Sequence, residues 1–259
     1  MKGVLRLAAE FAELSAAAET MEELTSHLGD VSNALGLPYF SLVHRVSLRR
    51  SDPRLIESSN YPPVWSERVV RGRLFVDDPI LQASQRTVAP FLWSEADHLI
   101  RLTELQRGII EQSHREGLGE GLTVPANVPG EPSGSCSFAT RVGQPLPDIE
   151  HRLCAHLVGI HAFERARQLH GYPLPSARAP PLSPRERDCI RALVTGASDK
   201  LIARQLNLSP ETVSRYLKDA RAAYGATTRA ELIVRALADG TADFGDAIPQ
   251  LWGIGPTRG

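Results

Sequence analysis

Apolar residues recur along most of the chain at spacings of three and four, and alternate with polar ones in only a few short stretches, so helices should outnumber strands. Leu7, Phe11, Leu14 and Ala18 stand at i, i+4, i+7 and i+11 and predict a first helix whose apolar stripe faces a core. Thr20 with Glu23 caps a second, which carries Met21, Leu24, Leu28, Val31 and Leu35 and stops at Gly36. Tyr39 to Val46 is aromatic and branched enough for a strand, as is Leu55 to Ser58 after the polar turn Arg49 to Pro53. Ser94 with Asp97 predicts the start of a long helix through Glu116, with Ile100, Leu102, Leu105, Ile109 and Ile110 as its apolar face and Gly117 as its stop. Strands at Gly121 to Val128 and Ser135 to Thr140 are separated by the turn-rich segment Pro129 to Gly134. A last helix from Asp148 to Leu169 carries Ile149, Leu153, Leu157, Ile160 and Phe163. Residues 1–170 therefore read as an α/β (α+β) domain, a largely antiparallel sheet flanked by helices.

The pattern changes at residues 171–182, where four prolines and few core-forming side chains mark an interdomain linker. Residues 183–240 then hold four helix starts in succession, an all-α unit. Ser183, Pro184 and Glu186 form a capping box with Pro at the first helical position. Ser198 caps a short helix bearing Leu201, Ile202 and Leu206, and Ser209-Pro210 opens a third after a tight turn. Thr228 with Glu231 opens a fourth, which carries Leu232, Ile233, Ala236 and Leu237 and ends at Gly240. Two short helices joined by about three residues are the helix-turn-helix arrangement, whose second helix enters the DNA major groove. Residues 241–259, rich in Gly and Pro, are expected to be a flexible tail in which Phe244 and Trp252 dock at most locally.

Composition agrees with two soluble globular domains: 259 residues, 42% apolar and 23% charged. No run approaches the 18 or so uninterrupted apolar residues of a membrane span. Arg6, Glu10 and Glu13 break the first segment at helical spacing, so it reads as a mature helix and not as a signal peptide. Three cysteines without CxxC spacing favour reduced thiols and a cytoplasmic location. The net charge of −1 conceals an asymmetry, because residues 182–240 hold 10 Lys or Arg against 7 Asp or Glu. The basic end is the expected DNA-facing end, on two half-sites occupied by a homodimer.

Leu182-Ser183, Arg185-Glu186, Gly196, Ile202-Ala203, Leu208-Ser209 and Thr212-Val213 together resemble the DNA-binding domain of LuxR-type transcription factors. By that resemblance Lys200, Ser209, Thr212, Val213, Arg215, Tyr216 and Lys218 are the expected DNA-binding residues. Tyr216, Asp219 and Ala223 depart from the His, Asn and Lys common at those positions. Ahead of this unit, Tyr61-Pro62, Trp65, Asp78-Pro79 and Trp93, continuing through Gly117, Gly121-Leu122-Thr123, Pro125 and Gly134 to Phe138, resemble the acyl-homoserine-lactone-binding domain of quorum-sensing LuxR-type regulators. The resemblance implies a ligand site of Tyr61, Trp65, Val69, Asp78, Trp93 and Ser137. In it Trp65 donates to a lactone carbonyl, Asp78 accepts from an amide, and Tyr61 and Ser137 donate to an acyl carbonyl. Val69 stands where the family usually has Tyr. A regulator sensing a non-lactone small molecule, or acting without ligand, is the alternative.

Taken singly these residues say less. Lone tryptophans are usually core residues, Asp before Pro is as readily a helix cap as a ligand contact, and Thr212, Arg215 and Lys218 would suit a solvated helix face. Only their spacing together points to function. His151, His156 and His161 recur every five residues and scatter around their helix, so no metal is expected. No cofactor is implied beyond the small-molecule ligand. Gly134 to Phe138 lacks the G-x-S-x-G elbow of a hydrolase, so catalysis is not expected. A phosphorylation-controlled receiver would open on an apolar strand and an acidic pair, whereas this chain opens on two amphipathic helices.

Overall fold

The computed structural model describes residues 2–44, 56–128, 131–172 and 179–251. The turn expected at 49–53, Val46, Leu55, Pro129-Gly130, the linker core 173–178 and Trp252 lie outside the described residues. The chain divides into two compact units, the first ending at Tyr172.

The first unit is built on an antiparallel sheet in the order β2-β1-β5-β4-β3, with β1 Tyr39–His44, β2 Glu57–Ser59, β3 Phe91–Leu92, β4 Leu118–Ala126 and β5 Gly134–Arg141. Side-chain alternation gives the sheet two different faces. Phe40 and Leu42, Leu122 and Val124, and Cys136 and Phe138 point into one core. That core is closed by α1 Lys2–Ala17, α2 Met21–Ala34 and α7 Ile149–Leu169. Full burial of Phe11, Leu24, Leu28, Leu35 and Leu37 here stabilises the unit by about 1.5–3 kcal/mol per side chain. The residues of opposite parity, among them Tyr39 and Ala139, belong to a second apolar cluster with Trp65 and Trp93. Above that face run α3 Pro63–Gly72, α4 Pro79–Ala83, α5 Ala96–Leu99 and α6 Glu104–Arg115.

The caps behave as local chemistry requires: Thr20 accepts from the Glu23 amide and Asp148 from the His151 amide. Three expectations need correction. The stretch 94–116 is two helices, broken over Ile100 to Thr103, because Thr103 and Gln106 form their own capping box and restart the chain at Glu104. In α1 Leu14 is exposed, and Ala8, Phe11 and Ser15 turn inward, with Ala18 just after the helix buried as well. In α7 only Phe163 of the five expected apolar residues is buried; Ile149, Leu153, Leu157 and Ile160 face outward. The inward side is made of small residues, Cys154, Ala155, Val158, Gly159, Ala162 and Ala166. A Cβ on Gly159 would come within 2.9 Å of Val124, so this helix lies against β4 more closely than large side chains permit.

The second unit contains α8 Pro184–Val194, α9 Asp199–Leu206, α10 Pro210–Tyr224 and α11 Arg229–Asp239, as the sequence predicts. Its core includes Ile190, Ile202, Val213, Leu217 and Leu232. Ser183 and Glu186 make the full capping box. At α11 the Thr228 side chain accepts from the Glu231 amide, but the Glu231 carboxylate returns to Thr227, one residue earlier than expected. The backbone amide and hydroxyl of Thr227, helped by Arg235, hold the Glu231 carboxyl down at about 2. The tail expectation is also corrected: a further helix, α12 Phe244–Leu251, follows Gly240, with Asp243 and Asp246 exchanging backbone-to-carboxylate bonds at its start. Phe244 itself is exposed.

Candidate functional site

The sheet face opposite the main core opens into a cavity of about 470 Å³. Tyr61, Trp65, Val69, Asp78, Trp93 and Ser137, expected from sequence to share a site, all line it. They arrive from different elements: Tyr61 just before α3, Trp65 and Val69 one helical turn apart on α3, Asp78 at the cap of α4, Trp93 after β3 and Ser137 on β5.

Asp78 is the N-cap of α4. Its Oδ1 accepts from the Ile80 amide at 2.8 Å and the Leu81 amide at 3.2 Å, capping α4. Burial raises its pKa, and the two amide bonds only partly offset that rise. Because both cap bonds fall on Oδ1, Oδ2 is the oxygen available to a donor in the cavity. Burial, reinforced by the Asp78 charge, likewise pushes the Tyr61 phenol well above its ordinary value, while Ser137 and Ser41 beside its hydroxyl pull the other way. Tyr61 therefore keeps its proton and can donate it. Tyr39 and Trp93 fix its ring, edge to face at centroid distances of 6.5 and 6.4 Å.

Trp93 lies over Gly121, where a Cβ would fall 2.3 Å from the indole ring. Its indole N–H donates to Thr123 Oγ1 at 2.9 Å, and Thr123 Oγ1 is in turn 2.9 Å from Ser137 Oγ. Either hydroxyl of the Thr123–Ser137 pair can be the donor, and Ser137 also lies within hydrogen-bonding reach of the Tyr61 hydroxyl. The polar atom of Trp93 is thus committed to the protein, and the residue contributes ring surface and orientation. Sequence reasoning missed Thr123 as part of this relay, and missed Ser41 and Ser59, which also line the cavity. Their signal is strand alternation combined with register, and register is a pairing of distant segments.

On the second unit, α9 and α10 are joined across Asn207, which adopts the left-handed conformation (φ 54°) that Asn tolerates. Ser209 caps α10 by accepting from the Thr212 amide at 3.2 Å. Val213, Leu217, Ala220 and Tyr224 turn inward, so Arg215 and Lys218 stand exposed on the other side, with Lys200 exposed on α9. The Arg215 guanidinium sits 5.5 Å above the Tyr216 ring, and Tyr216 packs partly against the core. Val213 is a correction: its side chain is fully buried, so it anchors α10 and presents nothing to DNA.

Among the described residues no group of three His, Cys, Asp or Glu side chains is placed to hold a metal ion, and no helix is long and apolar enough to cross a membrane. Cys136, Cys154 and Cys189 are buried and form no disulfide.

Residues 20–166 match the autoinducer binding domain family, and residues 180–236 match the luxR family of bacterial regulatory proteins. The transcriptional activator protein CarR of Pectobacterium carotovorum subsp. carotovorum is 25% identical over 206 residues, covering 76% of this chain and 83% of that one. The fold is similar to a crystal structure of Escherichia coli SdiA, with a TM-score of 0.62 and 20% identity over 90% of this chain and 97% of that one. A structure of SdiA in complex with octanoyl-rac-glycerol gives a TM-score of 0.60, again at 20% identity, over 90% of this chain and 93% of the other.

Proposed function

The chain belongs to the LuxR family of bacterial regulatory proteins, with an autoinducer-binding domain ahead of its helix-turn-helix unit, and from that premise we propose that its signal is an N-acyl-homoserine lactone and that it binds promoter DNA as a dimer in the cytoplasm. It is a transcriptional regulator and not an enzyme. The observation that supports the lactone reading is the convergence of Tyr61, Trp65, Asp78 and Ser137 on one cavity with otherwise mostly apolar walls. Those four offer donors and an acceptor matched to a lactone carbonyl, an amide N–H and an acyl carbonyl. Trp65 donates to the first, Asp78 Oδ2 accepts from the second, and Tyr61 and Ser137 donate to the third. Each neutral bond contributes about 1 kcal/mol net and the bond to the carboxylate about 1.5–3 kcal/mol, so together they fix orientation and head-group choice. Val69 lines the cavity and brings no hydroxyl to the head group.

The test is the thermal midpoint of the protein, alone and with lactones graded in chain length. A ligand at a hundredfold excess over Kd adds about 2.7 kcal/mol, which predicts a rise of roughly 5–10 °C for a domain of this size. Octanoyl-rac-glycerol, the molecule bound in the SdiA complex, is the comparison arm. A rise with it and with no lactone would establish the second reading, a non-lactone lipophilic signal.

Dimerisation is supported by the outward stripe of α7. Ile149, Leu153, Leu157 and Ile160 are 56%, 54%, 41% and 48% exposed and stand at i, i+4, i+8 and i+11 on one helix. Soluble monomers rarely leave such a row uncovered, and a second copy offers the same row about a two-fold axis. DNA contact is supported by exposed Arg215 and Lys218 on α10. Arg215→Ala and Lys218→Ala are each expected to weaken promoter binding and to flatten the log-log salt dependence by about two units if the side chain meets phosphate, one for each copy in the dimer. Titration of a labelled promoter at several salt concentrations reads both effects. An unchanged slope in both variants would remove this face of α10 from the interface.

A further inference from the structure

Among the described residues, Arg215 stands in α10 between two carboxylates and forms an ion pair with neither. Glu211 is four residues before it and Asp219 four residues after, the spacing that brings side chains together on one helix face. Elsewhere the same order and spacing close: Glu67–Arg71, Glu111–Arg115 and Glu231–Arg235 meet at 2.6, 3.4 and 2.5 Å. The Glu211 carboxylate instead turns back to its own backbone amide and the Ser209 hydroxyl, which hold its pKa below the ordinary range. Asp219 is exposed. The Arg215 guanidinium lies 5.5 Å above the Tyr216 ring, and Tyr216 is half-buried against the core of the second unit. An anchored ring thus covers one face of an exposed guanidinium and leaves its N–H edge turned to solvent.

This inference rests on the DNA-facing reading of α10 above. A guanidinium in that position meets either phosphate or the edge of a base. Phosphate is disfavoured, because carboxylates one turn away on either side repel the anion that Arg215 would attract. A guanine edge carries no net charge and offers O6 and N7 in the plane and spacing of the guanidinium fork. Stacking on Tyr216 fixes that plane before DNA arrives and reduces the side-chain freedom lost on binding. Lys218, a compact charge on a flexible stem, suits phosphate instead. We propose that Arg215 reads a guanine in the major groove, that Tyr216 is the residue positioning it, and that Asp219 keeps the pair off phosphate.

The experiment is selection of duplexes from a randomised DNA pool by the full chain, without ligand and with the graded lactones, followed by titration of the enriched duplex and a scrambled one. The wild type is expected to enrich a sequence with an invariant guanine in each half-site, and Arg215→Ala to return that sequence with this position alone relaxed. Arg215→Lys keeps the charge, so its salt slope and its affinity for the scrambled duplex should hold while preference for the enriched duplex falls about 10- to 100-fold. Tyr216→Phe keeps the stack and should match the wild type, whereas Tyr216→Leu should lose about two- to fivefold in preference at an unchanged salt slope. Asp219→Asn should bind the scrambled duplex roughly threefold more tightly. Full preference in Arg215→Lys would overturn the proposal; if Lys218→Ala still flattens the salt slope, the DNA-facing reading survives it. Equal preference in Tyr216→Phe and Tyr216→Leu would remove the positioning role, and unchanged scrambled-duplex affinity in Asp219→Asn the role of that carboxylate. Enrichment of no sequence by the wild type, with a salt slope that neither Arg215→Ala nor Lys218→Ala alters, would overturn the DNA-facing reading and this proposal together.

Discussion

Replacing Leu153 and Leu157 together by Asp is expected to convert the proposed dimer to a monomer without unfolding the chain. Both side chains are about half exposed on α7, so in an isolated chain the change falls among surface substitutions that cost within about 0.5 kcal/mol. At a symmetric interface the same change removes four apolar side chains and buries four carboxylates. Burial of one Leu is worth about 1.5–3 kcal/mol, so even partial burial predicts a loss of at least about 4 kcal/mol, a thousandfold or more in the dimer dissociation constant. Sedimentation equilibrium reads the mass and circular dichroism the fold. A folded double variant that remains dimeric would place the interface elsewhere. Promoter affinity is expected to fall with the dimer, because two half-sites are then no longer bound by one molecule.

Asp78→Asn is expected to abolish most of the ligand response and to leave the empty protein nearly unchanged. Asp78 caps α4 through Oδ1, and Asn caps a helix about as well as Asp, so the ligand-free midpoint should hold. The carboxylate acceptor is lost, which predicts a 10- to 100-fold weaker lactone, from about 1.5–3 kcal/mol for a hydrogen bond to a charged group. Asp78→Ala should show the same weakening together with a lower ligand-free midpoint, because a lost cap costs about 1 kcal/mol. The pH dependence follows from burial, which raises the pKa of Asp78 above its unfolded value. The group by itself therefore favours the folded form as the pH falls, because the folded state then holds the proton more tightly. In the proposed complex the ligand amide needs the carboxylate, so its affinity is expected to drop as the pH falls through that raised value, and the dependence should vanish in Asp78→Asn. Full lactone affinity in Asp78→Asn would exclude the carboxylate as a ligand contact.

The helix starts were legible because a cap is chemistry between a side chain and an amide three residues on. Ser183, Thr20 and Asp148 each make the bond their sequence implies, and the four helices of the second unit follow one another as read. The same rule explains the misplaced helix at 94–116, where the cap at Thr103 with Gln106 was overlooked. The polar residues of the cavity were legible only as a spaced set borne by a family resemblance; no single one of them announces a site.

What the sequence by itself determined is thus what depends on near neighbours: where helices begin, the turn at Asn207 to Ser209, and the order of the two units. The tertiary structure decided which face of each element is inside. Periodicity marks an apolar side on α7, but close approach to β4 at Gly159 and to α1 at Cys154 buries the small residues Cys154, Ala155, Val158 and Ala162 and turns Ile149, Leu153, Leu157 and Ile160 outward. Val213 sits inside the second unit for the same kind of reason: the inward row of α10 is set by the helices packed against it. The hydroxyl row beneath the cavity exists only through the register of four strands drawn from residues 41, 59, 123 and 137. Such pairings join positions up to 96 residues apart in the chain, and packing, which acts on volume and distance without regard to sequence separation, is what fixes them.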